Sequence, residues 1–397
     1  MHPFLDLGFA PPSNAYLTKD CLDSPELYYP LRVKVCDQCW LVQTEDYAEA
    51  QEFFNADYAY FSSTSSTWLS HAKCYFSKIV PQLNLMAESY VIEVASNDGY
   101  LLKNFVEAGI PCLGIEPTES TADVAEAKGI PVCREFFGEQ LGQQLSSTGK
   151  QADLIIGNNV YAHVPDINDF TKGLKAALKP GGTITLEFPH LLCLIKNLQF
   201  DSIYHEHFSY LSLHAVNRIF AAAGLRIWNV ERLPTHGGSL RVFGCHEEFP
   251  FATKPSVSAL LAEEKAFGLK DLKTYTQLQG QVEKIKDNLL SFLIERKSSG
   301  DLIVAYGAAA KGNTLLNYAG VKSDLLPFVC DAAQIKQGKF LPGSHIPIVP
   351  PERLLQARPD YVLIFPWNIA REIIRENAVL AAGGTKFVIA VPEVRVL

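Results

Sequence analysis

Apolar runs alternate with helical patterns between residues 76 and 250 of the chain. We predict buried strands at the runs VIEVA, CLGIE, ADLIIG and TITLEF, with helices between them. This alternation is typical of βαβ units that assemble a parallel sheet. The runs LRIWNVERL and SLRVFGC follow each other across HGG without a helix, so we predict an antiparallel pair at the edge of that sheet.

The pattern changes after residue 250. Residues 258–298 have polar and apolar positions at helical spacing and no proline, which predicts a long helical segment that links two domains. From residue 299 the strand and helix rhythm returns, which predicts a second, smaller α/β unit. The residues before about 75 are rich in Tyr, Ser and Pro and predict an irregular domain. The predicted divisions are an N-terminal domain at 1–75, a central Rossmann-like α/β domain at 76–250, a helical link at 251–298 and a C-terminal α/β domain at 299–397.

Composition narrows the class of protein. The chain has 397 residues, of which 48% are hydrophobic and 20% charged, as in soluble globular proteins of several domains. Its net charge of −8 and the lack of a long basic run argue against binding to nucleic acid or to an anionic membrane. No signal peptide or membrane span is evident, and nine scattered cysteines indicate reduced thiols. We therefore expect a cytoplasmic protein, and a monomer, because several domains suffice for a stable core.

The turn after the first central strand carries acids where a phosphate-binding turn has glycines. Glu93, Ser96, Asp98 and Gly99 occupy this turn, which lacks the G-x-G-x-x-G pattern of dinucleotide-binding proteins. Two carboxylates would repel a pyrophosphate but would favour a cationic amine. Glu116 ends the next strand, where an acid suits hydrogen bonds to a ribose diol. The combination predicts an adenosyl ligand with an amino-acid end, S-adenosylmethionine (SAM).

Further residues of the central domain are candidates for the same ligand. Phe136 or Phe137 could stack on the adenine, and Asn158 or Asn159 could hold the amino-acid end. These aromatic and amide residues are equally typical of ordinary loops. The acids at strand ends also occur in α/β domains that bind no such ligand.

The stretch SIYHEHFSYLS contains an unbroken row of Tyr204, His205, Glu206 and His207. Imidazole titrates near neutrality and suits proton transfer, and a phenol can donate a hydrogen bond to an oxyanion. Glu206 could orient the imidazole or tune its charge. His163 follows another strand and should lie at the same edge of the sheet. A base, an oxyanion donor and a methyl sulfonium together indicate methylation of a carbon next to a carbonyl.

The chain resembles the SAM-dependent C-methyltransferases that methylate C-3 of nucleotide-linked 4-keto-deoxysugars. The resemblance covers nearly the whole chain. It is carried by the ordered motifs FLDLGFAPPSNAYL, YAYFSSTSSTW, IEVASNDGYLL, GIEPTES, NNVYAHVPD, IYHEHFSYLS, LPTHGGSLRVF, VAYGAAAKGNTLLNY, DAAQIKQGKFLPGSHIPI and FPWN.

The resemblance implies a role for each matching residue. His207 would be the base at C-3, with Tyr204, Glu206 and His163 as the other catalytic residues. Tyr60, from the Y-x-Y motif, would contact the sugar, and so would His236. Gly237 would let the backbone approach the substrate closely. His205 departs from the family pattern, so its role is open.

The resemblance implies that the second α/β unit binds the nucleotide of the sugar substrate, of thymidine or guanosine type. Lys311 stands at the start of a helix, where backbone amides also favour anions, so it could bind a diphosphate. The alternative to a diphosphate site is an Ala-rich helix that packs on a sheet and carries a solvated lysine. The other candidate substrate-binding residues of this unit are Asn313, Asp331, Lys336, Trp367 and Asn368.

Cys36 and Cys39 have the C-x₂-C spacing of half a structural zinc site. The resembling family carries a second cysteine pair shortly before LDLG, and this sequence has none there. His2 and Cys21 are conceivable substitutes at poor spacing. The family therefore implies an N-terminal zinc-type domain, with an incomplete ligand set in this chain.

Three other functions are consistent with parts of the sequence. An O-methyltransferase acting on a sugar or small molecule would need only light activation of a hydroxyl. A nicotinamide oxidoreductase would require glycines that the first turn lacks. A non-catalytic nucleotide-sugar-binding protein would need no base at position 207.

Overall fold

A computed structural model of the protein describes residues 1–45, 61–64 and 66–397. Within these ranges the strands are β1 (His2–Ala10), β2 (Tyr29–Val35), β3 (Val42–Thr44), β4 (Val91–Val94), β5 (Cys112–Ile115), β6 (Val132–Cys133), β7 (Ala152–Asn158), β8 (Leu178–Pro189), β9 (Ser209–Tyr210), β10 (Leu225–Leu233), β11 (Ser239–His246), β12 (Ile303–Tyr306), β13 (Val329–Cys330), β14 (Ile348–Val349), β15 (Tyr361–Ile364), β16 (Lys386–Ile389) and β17 (Arg395–Val396).

The helices of the described ranges are α1 (Ser66–Leu83), α2 (Leu102–Glu107), α3 (Glu119–Ala127), α4 (Glu139–Ser147), α5 (Ile167–Ala177), α6 (Leu191–Lys196), α7 (Leu213–Ala222), α8 (Pro255–Phe267), α9 (Leu272–Thr276), α10 (Leu278–Ser298), α11 (Ala310–Ala319), α12 (Glu352–Ala357), α13 (Ala370–Glu376) and α14 (Ala378–Ala382). Four short 3₁₀ turns shape the site described below, at Tyr161–His163, Phe200–Ser202, Thr235–Gly237 and Trp367–Ile369.

The central sheet has seven strands in the order β10-β11-β8-β7-β4-β5-β6. All neighbours pair in parallel except β11, which is antiparallel to both β10 and β8. The predicted Rossmann-like sheet and its antiparallel pair are confirmed, with β10 at the edge. The strand order reverses between β4 and β7, and ligands of such sheets bind outside the carboxyl ends of the strands at this point.

The second α/β unit has a six-stranded sheet in the order β14-β13-β12-β15-β16-β17. Its strands are parallel except for β17. The predicted smaller α/β unit is therefore confirmed. Its own reversal of strand order lies between β12 and β15, which places a second candidate ligand crevice beside the carboxyl end of β12.

The N-terminal segment contains more regular structure than its composition predicts. Strands β1, β2 and β3 form an antiparallel sheet, and β9 adds to it through the pair Gln43↔Ser209. Strand β9 belongs to the stretch SIYHEHFSYLS. The N-terminal sheet therefore holds the end of the loop that carries the histidines.

The predicted long helix over 258–298 is interrupted in the structure. Helix α8 ends at Phe267, because Gly268 follows with a φ of 96°, a left-handed conformation that commonly ends helices. Helices α9 and α10 then continue the segment. The face of α10 that carries Val282, Ile285 and Leu289 is buried.

One hydrophobic core joins the N-terminal sheet to the second α/β unit. It contains Phe4 and Val33 from the first sheet, Leu289 from α10, and Ala305 and Leu363 from the second parallel sheet. Two further apolar clusters cover the central sheet. In the described part of the chain no helix combines the length and apolar character needed to cross a bilayer.

Candidate active site

The turn after β4 places polar side chains at the carboxyl edge of the central sheet. Ala95, Asn97 and Gly99 all have positive φ angles, which makes the turn tight. Helix α2 begins only at Leu102, so Ser96 and Asp98 lie between strand and helix. Both side chains are fully buried. The acids predicted from the sequence are therefore gathered where the sheet binds ligands.

Three carboxylates meet near this turn. The Oε2 atom of Glu116 accepts a hydrogen bond from the amide of Asn97 at 2.9 Å, and its Oε1 atom accepts one from Thr118 at 2.9 Å. These bonds tie the end of β5 to the turn. Burial raises the pKa of Glu93 well above its usual range, and the charges of Asp98 and Glu116 raise it further. A cationic ligand group would lower the cost of burying these acids.

Several buried polar atoms at this edge lack a hydrogen-bond partner within the described residues. They are the Oγ of Ser96, one carboxylate oxygen of Asp98, and the side-chain oxygens of Asn158 and Asn159. Buried polar atoms normally have partners, so such a cluster indicates a ligand site. Its acceptors and acids fit an adenosyl ligand with a cationic amino-acid end.

The two candidate adenine-stacking residues are placed differently. Phe136 is exposed, whereas Phe137 packs its ring edge-on against Phe170, with 5.1 Å between centroids. The exposed ring is thus the one free to contact a ligand. Sequence reasoning missed Trp68, whose ring lies 6.0 Å from that of Tyr100 and 5.6 Å from that of His236.

His207 is the best-fixed member of the row from 204 to 207. Its Nδ1 atom lies 2.9 Å from the carbonyl oxygen of Ser202. A carbonyl only accepts, so Nδ1 carries the hydrogen and Nε2 has the free electron pair. The backbone oxygen of His207 accepts a hydrogen bond from the hydroxyl of Thr44 at 2.6 Å. The ring is 8% exposed.

Three aromatic rings pack around that of His207, and the Tyr210 ring is the most distant, at 5.9 Å between centroids. The His163 ring lies edge-on at 4.6 Å between centroids, and the Tyr204 ring lies tilted at 4.0 Å. Burial lowers the pKa of His163 to about 4. Burial also lowers the pKa of His207 well below its ordinary value, and the charges of His163, His236 and Lys311 act in the same direction. Both imidazoles are therefore neutral, the form that accepts a proton.

The side chains of Glu206 and His205 point away from the His207 ring. Glu206 does not orient the His207 ring, as its position next to it suggested. Its Oε2 atom instead accepts a hydrogen bond from the amide of Asn14 at 2.6 Å, and burial raises its pKa to about 7. The Nε2 atom of His205 lies 3.3 Å from the carbonyl oxygen of Pro30 in the N-terminal sheet. The row thus combines Tyr204 and His207, whose rings pack together, with Glu206 and His205, which attach the loop to the N-terminal segment.

His236 and Gly237 lie on the turn between β10 and β11. The Nε2 atom of His236 accepts a hydrogen bond from the amide of Asn159 at 3.2 Å, and burial lowers its pKa to about 4. A Cβ atom at Gly237 would clash with the indole of Trp367. The close approach at this glycine is therefore made by the second α/β unit.

A buried ionic network that sequence reasoning missed underlies this turn. Glu187 near the end of β8 accepts hydrogen bonds from Arg241 at 2.7 Å and Thr235 at 2.9 Å. The Nε2 atom of His71 lies 2.9 Å from the same carboxylate. Burial would raise the pKa of Glu187, but these partners outweigh it and hold the pKa below its usual value. The sequence did contain a signal for Glu187, because this acid stands near the end of the buried strand TITLEF, as Glu93 stands near the end of VIEVA.

A cavity of about 210 Å³ lies at the carboxyl edge of the second sheet. Its walls are the segments that follow β12, β13 and β15, together with one face of α13. This is the point where the strand order reverses. Its polar lining is acidic, with Asp331, Glu372 and Glu376.

Three predicted residues of this unit are engaged within the protein. Asp331 accepts hydrogen bonds from the amides of Ala308 at 2.6 Å and Ala333 at 2.8 Å. The ammonium of Lys336 donates to the carbonyl of Ala308 at 2.8 Å. Asn313 is buried and donates to the carbonyl of Ser13 at 2.6 Å. They shape the loops around the cavity, and of them Asp331 lines it directly.

Lys311, Trp367 and Asn368 form a group that faces the central domain. The Nζ atom of Lys311 lies 4.2 Å from the centroid of the Trp367 ring and 3.2 Å from the Oδ1 of Asn368. The indole packs at Gly237, and Lys311 influences the pKa of His207. The structure thus brings these three residues to the histidines.

The remaining predicted residues concern the N-terminal segment. Tyr60 lies outside the described residues. The amides of Gln38 and Cys39 lie 3.4 and 3.5 Å from the Sγ of Cys36. No third histidine, cysteine or acid joins this pair within the described ranges. Two thiols are fewer than the four ligands that a structural zinc site normally has, and zinc binding stays a prediction.

Comparisons with known proteins match three regions of the chain to described families. Residues 1–54 match the family described as "Putative zinc binding domain", residues 68–230 match "Methyltransferase domain", and residues 234–392 match "C-methyltransferase C-terminal domain". A solved structure of magnesium protoporphyrin IX methyltransferase (ChlM) from Synechocystis with bound SAH is 15% identical with a TM-score of 0.36, over 45% of this chain and 83% of that chain.

Two curated relatives are methyltransferases. The ubiquinone biosynthesis O-methyltransferase of Methylobacterium nodulans is 25% identical over 127 residues, which are 31% of this chain and half of that protein. The C-methyltransferase NovU of Streptomyces niveus is 34% identical over 372 residues, which are 94% of this chain and 88% of that protein. The chain therefore belongs to the family of SAM-dependent C-methyltransferases that contains NovU, as its motifs indicated.

Proposed function

We propose that this C-methyltransferase acts at C-3 of a nucleotide-linked 4-keto-deoxyhexose and that His207 removes the C-3 proton. The observation that carries the proposal is the hydrogen bond from His207 to the carbonyl of Ser202. It fixes the tautomer whose Nε2 accepts a proton. Burial keeps that imidazole neutral, so no pH adjustment is needed to generate the basic form.

The reaction divides between the two sides of the site. Bound SAM supplies the electrophilic methyl group. The polar edge at Ser96, Asp98 and Asn158 would hold its amino-acid end, and Glu116 would hold its ribose. The carboxyl ends of β4 and β7 would thus bind the donor, while His207, whose ring packs against that of His163, would face the substrate.

Removal of the C-3 proton leaves negative charge on the C-4 oxygen, and the site favours that charge. The ammonium of Lys311 contributes to the lowered pKa values of His207 and His236. The same positive field stabilises a developing oxyanion. Tyr204, next to the His207 ring, supplies a phenol for a hydrogen bond to this oxygen.

The surroundings of His207 also suit a deoxysugar. A cavity of about 20 Å³ beside the ring has an apolar part of its wall, formed by Ala162, Pro189, Leu191 and Leu194. This space has room for one small group, and beside the apolar wall a methyl or methylene group of a deoxyhexose would be favoured over a hydroxyl, which would lose hydrogen bonds there.

We assign the nucleotide to the cavity of the second α/β unit. Its acids, Glu372 and Glu376, suit the hydroxyl and N–H donors of a nucleoside, not its phosphates. Lys311 contacts Trp367 and Asn368, which follow the same strand as the cavity residue Pro366, and it would bind the diphosphate that joins nucleoside and sugar. Free cysteines throughout the described residues agree with a reducing, cytoplasmic location.

The product of the reaction tests this function. We would incubate the protein with SAM and a panel of thymidine- and guanosine-linked 4-keto sugars and analyse products by NMR. The proposal predicts a new methyl group bonded to C-3, with loss of the C-3 proton. A methyl group bonded to oxygen, or to another carbon, would contradict it.

A further inference from the structure

The second α/β unit holds the loop of the proposed base by two hydrogen bonds. The indole Nε1 of Trp367 donates to the Oδ2 of Asp201 at 2.7 Å. The hydroxyl of Thr314 on α11 donates to the carbonyl of Ile203 at 2.8 Å. These contacts fall on residues 201 and 203, on either side of Ser202.

Ser202 is the residue whose carbonyl fixes the His207 ring. This carbonyl belongs to the peptide plane between residues 202 and 203 and can turn only with that plane. The positions of the neighbouring residues 201 and 203 therefore limit its orientation. The contacts of Trp367 and Thr314 therefore restrict the position of the acceptor that sets the tautomer of the base.

Asp201 depends on this contact. It is 1% exposed, and its Oδ1 atom has no hydrogen-bond partner within the described residues. Burial raises its pKa to about 6, against the influence of Lys311 and of the Trp367 hydrogen bond. Without the indole donor, a buried carboxylate would keep few compensating contacts and the loop would shift to expose it.

The Trp367 ring is itself fixed by the proposed substrate site. It packs against Gly237, and it carries the ammonium of Lys311 on its face at 4.2 Å. Its turn follows β15, beside the cavity that we assign to the nucleotide. Occupation of that cavity would thus stabilise the position of the indole.

We propose that Asp201 and Trp367 are positioning residues through which the nucleotide-binding unit aligns the catalytic loop of His207. The proposal rests on the proposed function, because it presupposes that His207 is the base. It predicts that proton removal, and not only substrate binding, depends on the indole N–H.

Trp367→Phe tests this directly, because it keeps an aromatic ring over Gly237 and under Lys311 but removes the donor. The readout is exchange of the substrate C-3 proton with deuterated water in the presence of SAH, followed by NMR at saturating nucleotide sugar. We expect exchange at saturation to fall about tenfold or more, on the scale of misplaced catalytic groups. The affinity for SAH, measured by calorimetry, should stay within about twofold, because no donor-site contact is lost.

Trp228→Phe is the matched control. Trp228 is also buried, but its Nε1 atom has no hydrogen-bond partner within the described residues, so the substitution removes no such bond. We expect Trp228→Phe to exchange the C-3 proton at the wild-type rate. Thr314→Val is the second test, since it removes the other hydrogen bond with little change of shape. It should lower exchange at saturation too, and it keeps the proposal testable if the Trp367 variant does not fold.

The outcomes separate this proposal from the proposed function. If the wild type exchanges the proton and the folded variants Trp367→Phe and Thr314→Val show the same exchange at saturation, the positioning role alone is overturned. A rise in KM for the nucleotide sugar with wild-type exchange at saturation would also overturn it, because it would show a binding role only. No exchange in the wild type would overturn the role of His207 itself.

Discussion

The amide of Asn14 donates a 2.6 Å hydrogen bond to the buried carboxyl group of Glu206, next to the proposed base. The contact joins the N-terminal segment to the catalytic loop, although the two residues are 192 positions apart in the sequence. The Tyr16 hydroxyl continues the connection, since it lies 3.3 Å from the Oδ1 of Asn14 and donates to the carbonyl of Ala308 at 2.7 Å. The loop of His207 is thus attached to both flanking units.

The burial of Glu206 predicts a pH-dependent stability. Its pKa is raised to about 7, so the folded protein retains a proton that the unfolded chain releases at lower pH. The contribution of this group is therefore present in acid and is lost as the pH rises through about 7. Glu206→Gln is always neutral, and we expect its loss of unfolding free energy between about pH 5 and pH 8 to be smaller than that of the wild type by on the order of 2 kcal/mol.

Denaturant unfolding at the two pH values measures this difference. Glu88→Gln, at an exposed position, serves as the control and should follow the wild type. A Glu206→Gln variant that loses as much stability as the wild type over this range would show that the carboxyl group is ionised in the folded protein.

The two histidines of the row should respond differently to substitution. His207→Gln removes the proposed base, and we expect methyl transfer to fall about 10²-fold or more, the usual scale for general bases. His205→Gln keeps an N–H donor for the carbonyl of Pro30, away from the site, and should retain activity within a few-fold. Steady-state kinetics of purified variants measure both. Equal losses in the two variants would argue against a catalytic role specific to His207.

The donor site can be tested through Glu116. Glu116→Gln replaces a carboxylate with an amide at the end of β5, and we expect affinity for SAH to fall about tenfold, because a charged acceptor for the ribose is lost. Glu119→Gln, three residues later and exposed on α3, is the control and should bind normally. Calorimetric titration gives both constants. Unchanged binding by Glu116→Gln would remove this residue from the donor site.

The assignment of the nucleotide predicts a separable effect on substrate binding. Ile369 lines the cavity of the second unit, and Ile369→Trp would fill part of it. We expect KM for the nucleotide sugar to rise about tenfold while affinity for SAH is unchanged, because the proposed donor site lies on the other sheet. Val379→Trp adds the same ring at an exposed position of α14 and should have neither effect. An unchanged KM in Ile369→Trp would place the nucleotide elsewhere.

Both parallel sheets could be predicted because their longer strands are apolar runs with a local signal, whereas the two-residue strands β6, β14 and β17 give none. The segments around Val91–Val94 and Ile303–Tyr306 are examples. The N-terminal sheet was not predicted, because its fourth strand comes from Ser209–Tyr210, far along the chain. The break at Gly268 was also missed, since the residues on both sides keep helical spacing.

The sequence named candidate residues of the site, but it did not indicate the directions in which their side chains point. The sequence grouped Glu206 with His207, but only the fold shows that one side chain turns to Asn14 and the other to Ser202. The contact between Asp201 and Trp367 joins residues 166 positions apart, and no local pattern indicates it. Pairings of this kind depend on how the domains pack.

Deuterium uptake at C-3 of the 4-keto sugar is the most direct measurement of proton removal by His207. The protein would be incubated in deuterated water with the nucleotide sugar and SAH, so that abstraction can occur without methyl transfer. We expect rapid uptake with the wild type, and uptake reduced about 10²-fold or more with His207→Gln. Wild-type uptake by the His207→Gln variant, in a protein that binds both ligands normally, would contradict the assignment of the base.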